Sequence, residues 1–327
     1  MGMSRAERID APALTGDGAG GGPDRLTLGA FLLFVTLAGG NVVAIRYVSC
    51  ETCELEPFWA ASSRFLLAAA VLAAIALALS AQVPRGRALM GAVLYGVLGF
   101  AAPFGLAYWG FQSASAGFGA VILATIPLLT LFFAFAHRQE RFRIAGLVGG
   151  LLAVAGTAAI FREGIGGGVP IGSLVAFLVA AACFAETNVI VKAFPRVHPA
   201  ALNAIGLGVG GGLLLLLSLV VGEEHAVPEL ARTWLAQAYL VVLGSVALFS
   251  LYVFVIHRWT ASAVSYEGVL IPLVAIVLAW WLQDEAITLA FLAGSVLVLL
   301  GVYVGALRGA RDEGTVEALG ASGHDRA

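Results

Sequence analysis

Residues 126–135 read IPLLTLFFAF, and residues 271–280 read IPLVAIVLAW. The two stretches stand 145 residues apart, and the same register runs without a gap over 104–156 against 249–301. Thirteen of the 53 pairs are identical. Matched Ala and Leu carry little weight in so apolar a chain. Pro127 with Pro272, Glu140 with Glu285, Gly149 with Gly294 and Gly156 with Gly301 carry more. A weaker match at an offset of 146 pairs Asn41 with Thr187 and Arg46 with Lys192. The chain therefore contains one unit twice.

The unit is built for lipid. Of 327 residues, 60% are hydrophobic and 12% charged, and mean hydropathy is +0.96. Soluble domains carry about 25% charged residues, so a soluble enzyme and a disordered protein are excluded. A net charge of −2 offers no basic field to nucleic acid. The apolar runs are continuous and near twenty residues long, which fits helices crossing a core of about 30 Å and not the alternating strands of a barrel. Ten spans are expected at 28–49, 58–80, 88–112, 117–136, 144–161, 171–193, 200–221, 234–256, 261–282 and 288–307. The fold class is thus an all-α polytopic membrane protein, with ten transmembrane helices in two repeats of five.

Five is odd, so the second repeat enters the membrane from the opposite side, and the repeats are inverted. Residues 1–27 form a Gly-rich disordered tail, 28–161 the first repeat, 162–170 a linker, 171–307 the second repeat and 308–327 a second polar tail. With both termini cytoplasmic, fourteen of the eighteen basic residues fall on the cytoplasmic side, and only Arg46, Arg64, Arg162 and Arg232 lie toward the other. One Lys against seventeen Arg, with abundant Ala and Gly, points to GC-rich coding and a bacterial inner membrane.

Taken together, Gly39-Gly40-Asn41 through Arg46, Pro57 through Arg64-Phe65, Ala116 through Pro127 to Glu140, and Ser262 through Pro272 to Glu285 resemble the EamA-like branch of the drug/metabolite transporter superfamily. The resemblance covers most of 28–307 and extends in kind to aromatic-amino-acid (YddG-like) exporters. Ala38 stands where that family often has Trp, and the second copy has Gly206-Leu207 in place of Arg-Phe. The resemblance implies export of amino acids or related metabolites.

Charge inside a span costs about 2.5–3.5 kcal/mol on the insertion scale and calls for a reason. Glu186 in the sixth span and Glu267 in the ninth are candidates to line a transport cavity, to hold a substrate ammonium or to carry a coupling proton. Each can instead pair with a hydroxyl between helices or snorkel to an interface. Asn41 and Asn188 offer amide donors and acceptors to a zwitterion, or an interhelical hydrogen bond. Tyr108, Tyr252 and Tyr266 supply faces with polar tips, and Phe100 and Phe104 can wall a pocket or simply pack. The substrate-binding candidates are Asn41, Phe100, Phe104, Glu186, Tyr252, Tyr266 and Glu267. Pro127 and Pro272 are read as bends that shape or gate the passage. Trp109, Trp234, Trp259, Trp280 and Trp281 read as an interfacial belt, and Gly206 to Gly212 and Gly146 with Gly150 as close-packing spacings.

Cys50-Glu51-Thr52-Cys53 lacks a second cysteine pair, Gly164 to Val169 lacks the Lys-Ser or Lys-Thr of a phosphate loop, and the five His show no zinc spacing. No cofactor and no metal are expected. The expected partners are a small-molecule solute and membrane lipid. The expectation is a secondary transporter working by alternating access, with proton-coupled multidrug efflux or an intramembrane enzyme on lipid-linked substrates as alternatives.

Overall fold

The computed structural model describes residues 24–48, 54–111, 113–114, 116–162, 170–283 and 288–308. Glu285, Cys50 to Cys53, Gly164 to Val169 and most of both polar tails lie outside the described residues. Ten helical passes follow in chain order. They are α1 (Arg25–Val48), α2 (Pro57–Ala78), α3 (Arg87–Phe111), α4 (Ala116–Leu123 and Ile126–Ala136), α5 (Ile144–Ile160), α6 (Ile171–Ala193), α7 (Pro199–Val221), α8 (Ala231–Ile256), α9 (Ala261–Val264 and Glu267–Gln283) and α10 (Leu289–Val302). Among the described residues, nine passes are long and apolar enough to cross a membrane. The remaining one, α5, has 17 residues, about 26 Å at the helical rise.

Local chemistry sets the ends. Pro57 and Pro199 open α2 and α7, where a missing N–H costs nothing. Gly222, at φ 79°, closes α7 in the left-handed conformation that a side chain resists. Thr260 and Thr288 cap α9 and α10 through their hydroxyls. Leu289 and Val220 are 84% and 83% exposed, an arrangement that only lipid makes favourable.

The helix pairs reveal the symmetry. α1 packs against α8 and α9 of the other repeat, and α6 packs against α3 and α4. α2 pairs with α7, and α5 with α10. Exchanging the repeats maps this set onto itself, as a pseudo-two-fold relation requires. At the α5–α10 crossing, an added Cβ on Gly149 would meet the Gly301 backbone at 2.6 Å, and one on Gly156 the Gly294 carbonyl at 2.7 Å. The twin glycines thus contact each other crosswise, and the two backbones touch because neither helix carries a side chain there.

A second repeated device is absent from any simple pattern. α3 opens into a π-helical turn at Val97–Ala101, and α8 does so at Val242–Ala247, 145 residues on. The first helix of each repeat sets a side chain against the glycine of the other repeat's turn. Asn41 lies against Gly244 and Thr187 against Gly99. The proline-linked breaks are not equivalent in this way. Pro127 opens the second segment of α4, whereas Pro272 lies inside the second segment of α9, whose break falls at residues 265–266.

Candidate functional site

The interior between the repeats is layered. Phe65 is fully buried and meets Phe100 at 5.2 Å and Phe104 at 5.3 Å, both edge to face. Phe100 meets Phe249 of the other repeat at 4.7 Å, and Phe104 meets Phe184 at 6.1 Å. Since Phe104 and Phe249 are twins, this aromatic block straddles the pseudo-axis. Phe100 is wholly enclosed and Phe104 partly so.

Beside this block lies a polar layer. Tyr95 and Tyr252 stack with ring centroids 6.1 Å apart and planes 4° from parallel. The Tyr95 hydroxyl donates to Asn203 Oδ1 at 3.0 Å, and that of Tyr252 donates to Asn188 Oδ1 at 2.8 Å. Both bonds cross between helices, because α3 and α7, like α8 and α6, approach closely. The Glu267 carboxyl lies near both phenols. Glu267 opens the second segment of α9, whose next N–H groups donate to the Ser265 and Tyr266 carbonyls. Its Oε2 is buried without a hydrogen-bond partner, as is Asn203 Nδ2.

The expected wall residues do not all meet. Phe100, Phe104, Tyr252 and Glu267 belong to this layered core. Asn41 sits at the α8 π-turn, its Nδ2 donating to Gly244 O at 2.9 Å while Oδ1 stays unpartnered. Tyr266 points away, toward α5, donating to Gly146 O at 3.2 Å. Glu186 faces the end of α4, where His137 Nε2 lies 3.1 Å from its Oε1. Of the tryptophans read as a belt, Trp109, Trp234, Trp280 and Trp281 are exposed, but Trp259 is buried edge-on to Phe31 at 5.0 Å.

Sequence reading alone passed over Tyr95, Asn203 and Arg64 as site residues. Arg64 was visible as a charge within an apolar run, and the structure buries it to 4% exposure with its guanidinium over Phe65 at 4.4 Å. Tyr95 and Asn203 gave no signal, since each becomes meaningful only when α3 meets α7.

Both ends of the bundle are tied across the repeat boundary. At one end, Glu223 accepts from the N–H groups of Phe58 and Trp59 at 3.0 and 2.7 Å, and Glu54 from those of Glu229 and Leu230 at 2.7 and 3.0 Å. Glu223 thereby caps α2, and Glu54 fixes the stretch that leads into α8, each across to the opposite repeat. At the other end, Glu140 accepts from Ser262 N at 3.1 Å, Gln139 donates to Val189 O at 2.9 Å, and Asp24 lies 3.7 Å from Arg258. Hydrogen bonding to the Thr233 side chain, then to the Glu229 and Leu230 backbone, with the Arg232 charge, holds the Glu54 carboxyl below its ordinary value. Burial, then the Arg196 and Lys192 charges, push the His257 ring down.

A family model described as the EamA-like transporter family matches the chain twice, over residues 26–162 and 171–306. "Uncharacterized inner membrane transporter YedA" of Escherichia coli (strain K12) is 28% identical over 281 residues, covering 84% of this chain and 89% of the relative. "Probable terminal-alkyne amino-acid exporter" of Streptantibioticus cattleyicolor is 28% identical over 74% of this chain and 81% of its own length. "Probable amino-acid metabolite efflux pump" of Salmonella typhimurium is 26% identical over 84% and 92%. One crystal structure superposes with a TM-score of 0.71 at 19% identity, covering 86% of this chain and 95% of that one, a likeness of fold.

Proposed function

Because the chain belongs to the EamA-like transporter family, we propose that it is a secondary transporter that exports amino acids or related small metabolites by alternating access. The observation that carries this reading is the crosswise pairing of two five-helix repeats around a buried core holding unpartnered polar groups. Two halves of one architecture can exchange conformations at similar energy, and a site between them then meets each side in turn. The ties at both ends of the bundle supply the contacts that must break alternately. The relatives named for amino-acid export support the solute class. The relative named for the inner membrane, with the basic residues gathered at one end, supports an inner-membrane location with both termini in the cytoplasm. Energy comes from solute or ion gradients, without nucleotide hydrolysis.

The test is counterflow in liposomes preloaded with individual amino acids. Saturable exchange of at least one of them is expected. Absence of flux for every amino acid and small metabolite tried would end this reading.

A second reading, proton-coupled efflux of drugs, draws on Glu267, whose unpartnered oxygen can take and release a proton between the states. It predicts uptake into inverted vesicles that follows an imposed pH gradient in the wild type and ignores it in Glu267→Gln.

A further inference from the structure

Arg64 is the eighth residue of α2, about 10 Å along the axis from the helix start. Its side chain is buried, and its guanidinium faces the rings of Phe65 at 4.4 Å and Phe104 at 5.9 Å. Its Nε is buried without a hydrogen-bond partner, and among the described residues no charged group acts appreciably on the guanidinium. A guanidinium offers five donors and stays charged at any physiological pH. Ring faces attract it but accept none of those hydrogen bonds.

The repeat shows that the scaffold does not require this charge. Counted from the opening prolines Pro57 and Pro199, the counterpart of Arg64 is Gly206. An added Cβ on Gly206 would meet the Tyr95 ring at 2.5 Å. One repeat therefore fills this place with a neighbouring aromatic ring, and the other keeps an unpaired cation. An ion held in an apolar core without a partner is a liability unless another molecule completes its hydrogen bonding.

We propose that Arg64 is the binding subsite for a carboxylate on the transported solute, with the adjoining Phe65–Phe100–Phe104–Phe249 block receiving that solute's apolar body. The planar fork of donors matches a carboxylate in bidentate fashion, and the aromatic edges suit an apolar or aromatic side chain. This inference rests on the transporter reading and specifies its substrate class.

The test uses the full chain in vesicles of phosphatidylcholine alone, so that no anionic lipid headgroup competes. Phenylalanine, phenylacetate and phenethylamine share one ring and differ in charged groups. Counterflow and ligand-induced thermal stabilisation are measured for the wild type, Arg64→Gln and Arg64→Lys. In Arg64→Gln the half-saturating concentration should rise about 10- to 100-fold for the two carboxylates, the range expected on losing hydrogen bonds to a charged group. It should stay within about twofold for phenethylamine, which lacks the group that Arg64 binds. Arg64→Lys should fall between, since an ammonium keeps the charge and loses the fork. Unchanged carboxylate values in Arg64→Gln, or equal losses for acid and amine, would overturn the subsite.

The wild type alone also decides, should the variant fail to fold. Equal binding of phenylalanine and phenethylamine contradicts the proposal. If the wild type moves none of the three, the transporter reading fails for this solute class while stabilisation still judges the subsite. Protection by phenylacetate that Arg64→Gln abolishes supports it, and no protection by any of the three refutes it.

Discussion

Buried charges without partners separate the residues that hold the fold from those placed to meet a ligand. Glu223 and Glu140 accept from first-turn N–H groups of α2 and α9, Glu54 from the two N–H groups that lead into α8, and the second Glu140 oxygen lies 3.7 Å from Arg143. Arg64 Nε and Glu267 Oε2 are left over. Exchange measured as a function of solute concentration should fall at least tenfold in Glu267→Gln, because an amide cannot replace a carboxylate toward an ammonium or a proton. Thermal stability should rise slightly in the same variant, since a buried unpaired carboxylate is costly; a large loss of stability would assign Glu267 to the scaffold. His257 sets a pH dependence of stability. Its folded value lies below the ordinary 6.5, so the unfolded ring takes up its proton first as the pH falls. Stability is full above about 6.5 and declines below it. Melting curves between pH 7.5 and 5 should show that decline, and His257→Gln should flatten it. Glu54 acts lower on the scale. Its carboxyl is depressed from 4.5, so its contribution is present above that value and is lost as the pH falls through the folded one.

At the level of elements, two helix pairs depend on absent side chains. The crossing of α5 with α10 brings Gly149 and Gly156 against the Gly301 and Gly294 backbones, which cannot yield as a flexible side chain would. Gly156→Val should destabilise the protein by about 1–3 kcal/mol, the usual cost of overpacking. Gly212→Ala should be nearly neutral, because nothing lies within 4 Å of its added Cβ. Denaturation in a mild detergent checks both. The π-turns are the other device. Mid-helix π-turns often mark functional positions, and here Asn41 and Thr187 reach across the pseudo-axis to Gly244 and Gly99. The glycine-rich runs in α7 were legible as close-packing signals, and Gly206 and Gly210 do touch Tyr95 and Phe100. The π-turns were not legible, because one extra residue per turn leaves the apolar run unbroken in composition.

For the molecule as a whole, the proposed transport cycle turns on the ties at its two ends. Alternating access requires that the Glu54 and Glu223 caps part while the Glu140, Gln139 and Asp24 contacts hold, and then the reverse. Weakening one end should bias the protein toward opening there. In a background freed of native cysteines, a cysteine replacing Phe104 should react faster with an impermeant maleimide when Glu54→Gln and Glu223→Gln are combined. Glu140→Gln should slow that reaction. Rates that do not move in opposite directions would show that these caps serve stability and not gating.

The order of apolar runs, the repeat of 145 residues and the odd number of spans per repeat were enough to read ten helices in two inverted sets, because lipid forces every backbone polar group into a helix and hydropathy is additive along the chain. Glu186 and Glu267 looked alike in that one-dimensional view, each a carboxylate within a span. Only tertiary packing separated them, bringing His137 to Glu186 and leaving a Glu267 oxygen bare. The same holds for Tyr95, Asn203 and Arg64, whose surroundings come from helices more than a hundred residues away or from the lack of any partner. Hydrogen bonding and charge pairing depend on distance in space, and a linear pattern carries that information only where the repeat itself folds one half onto the other.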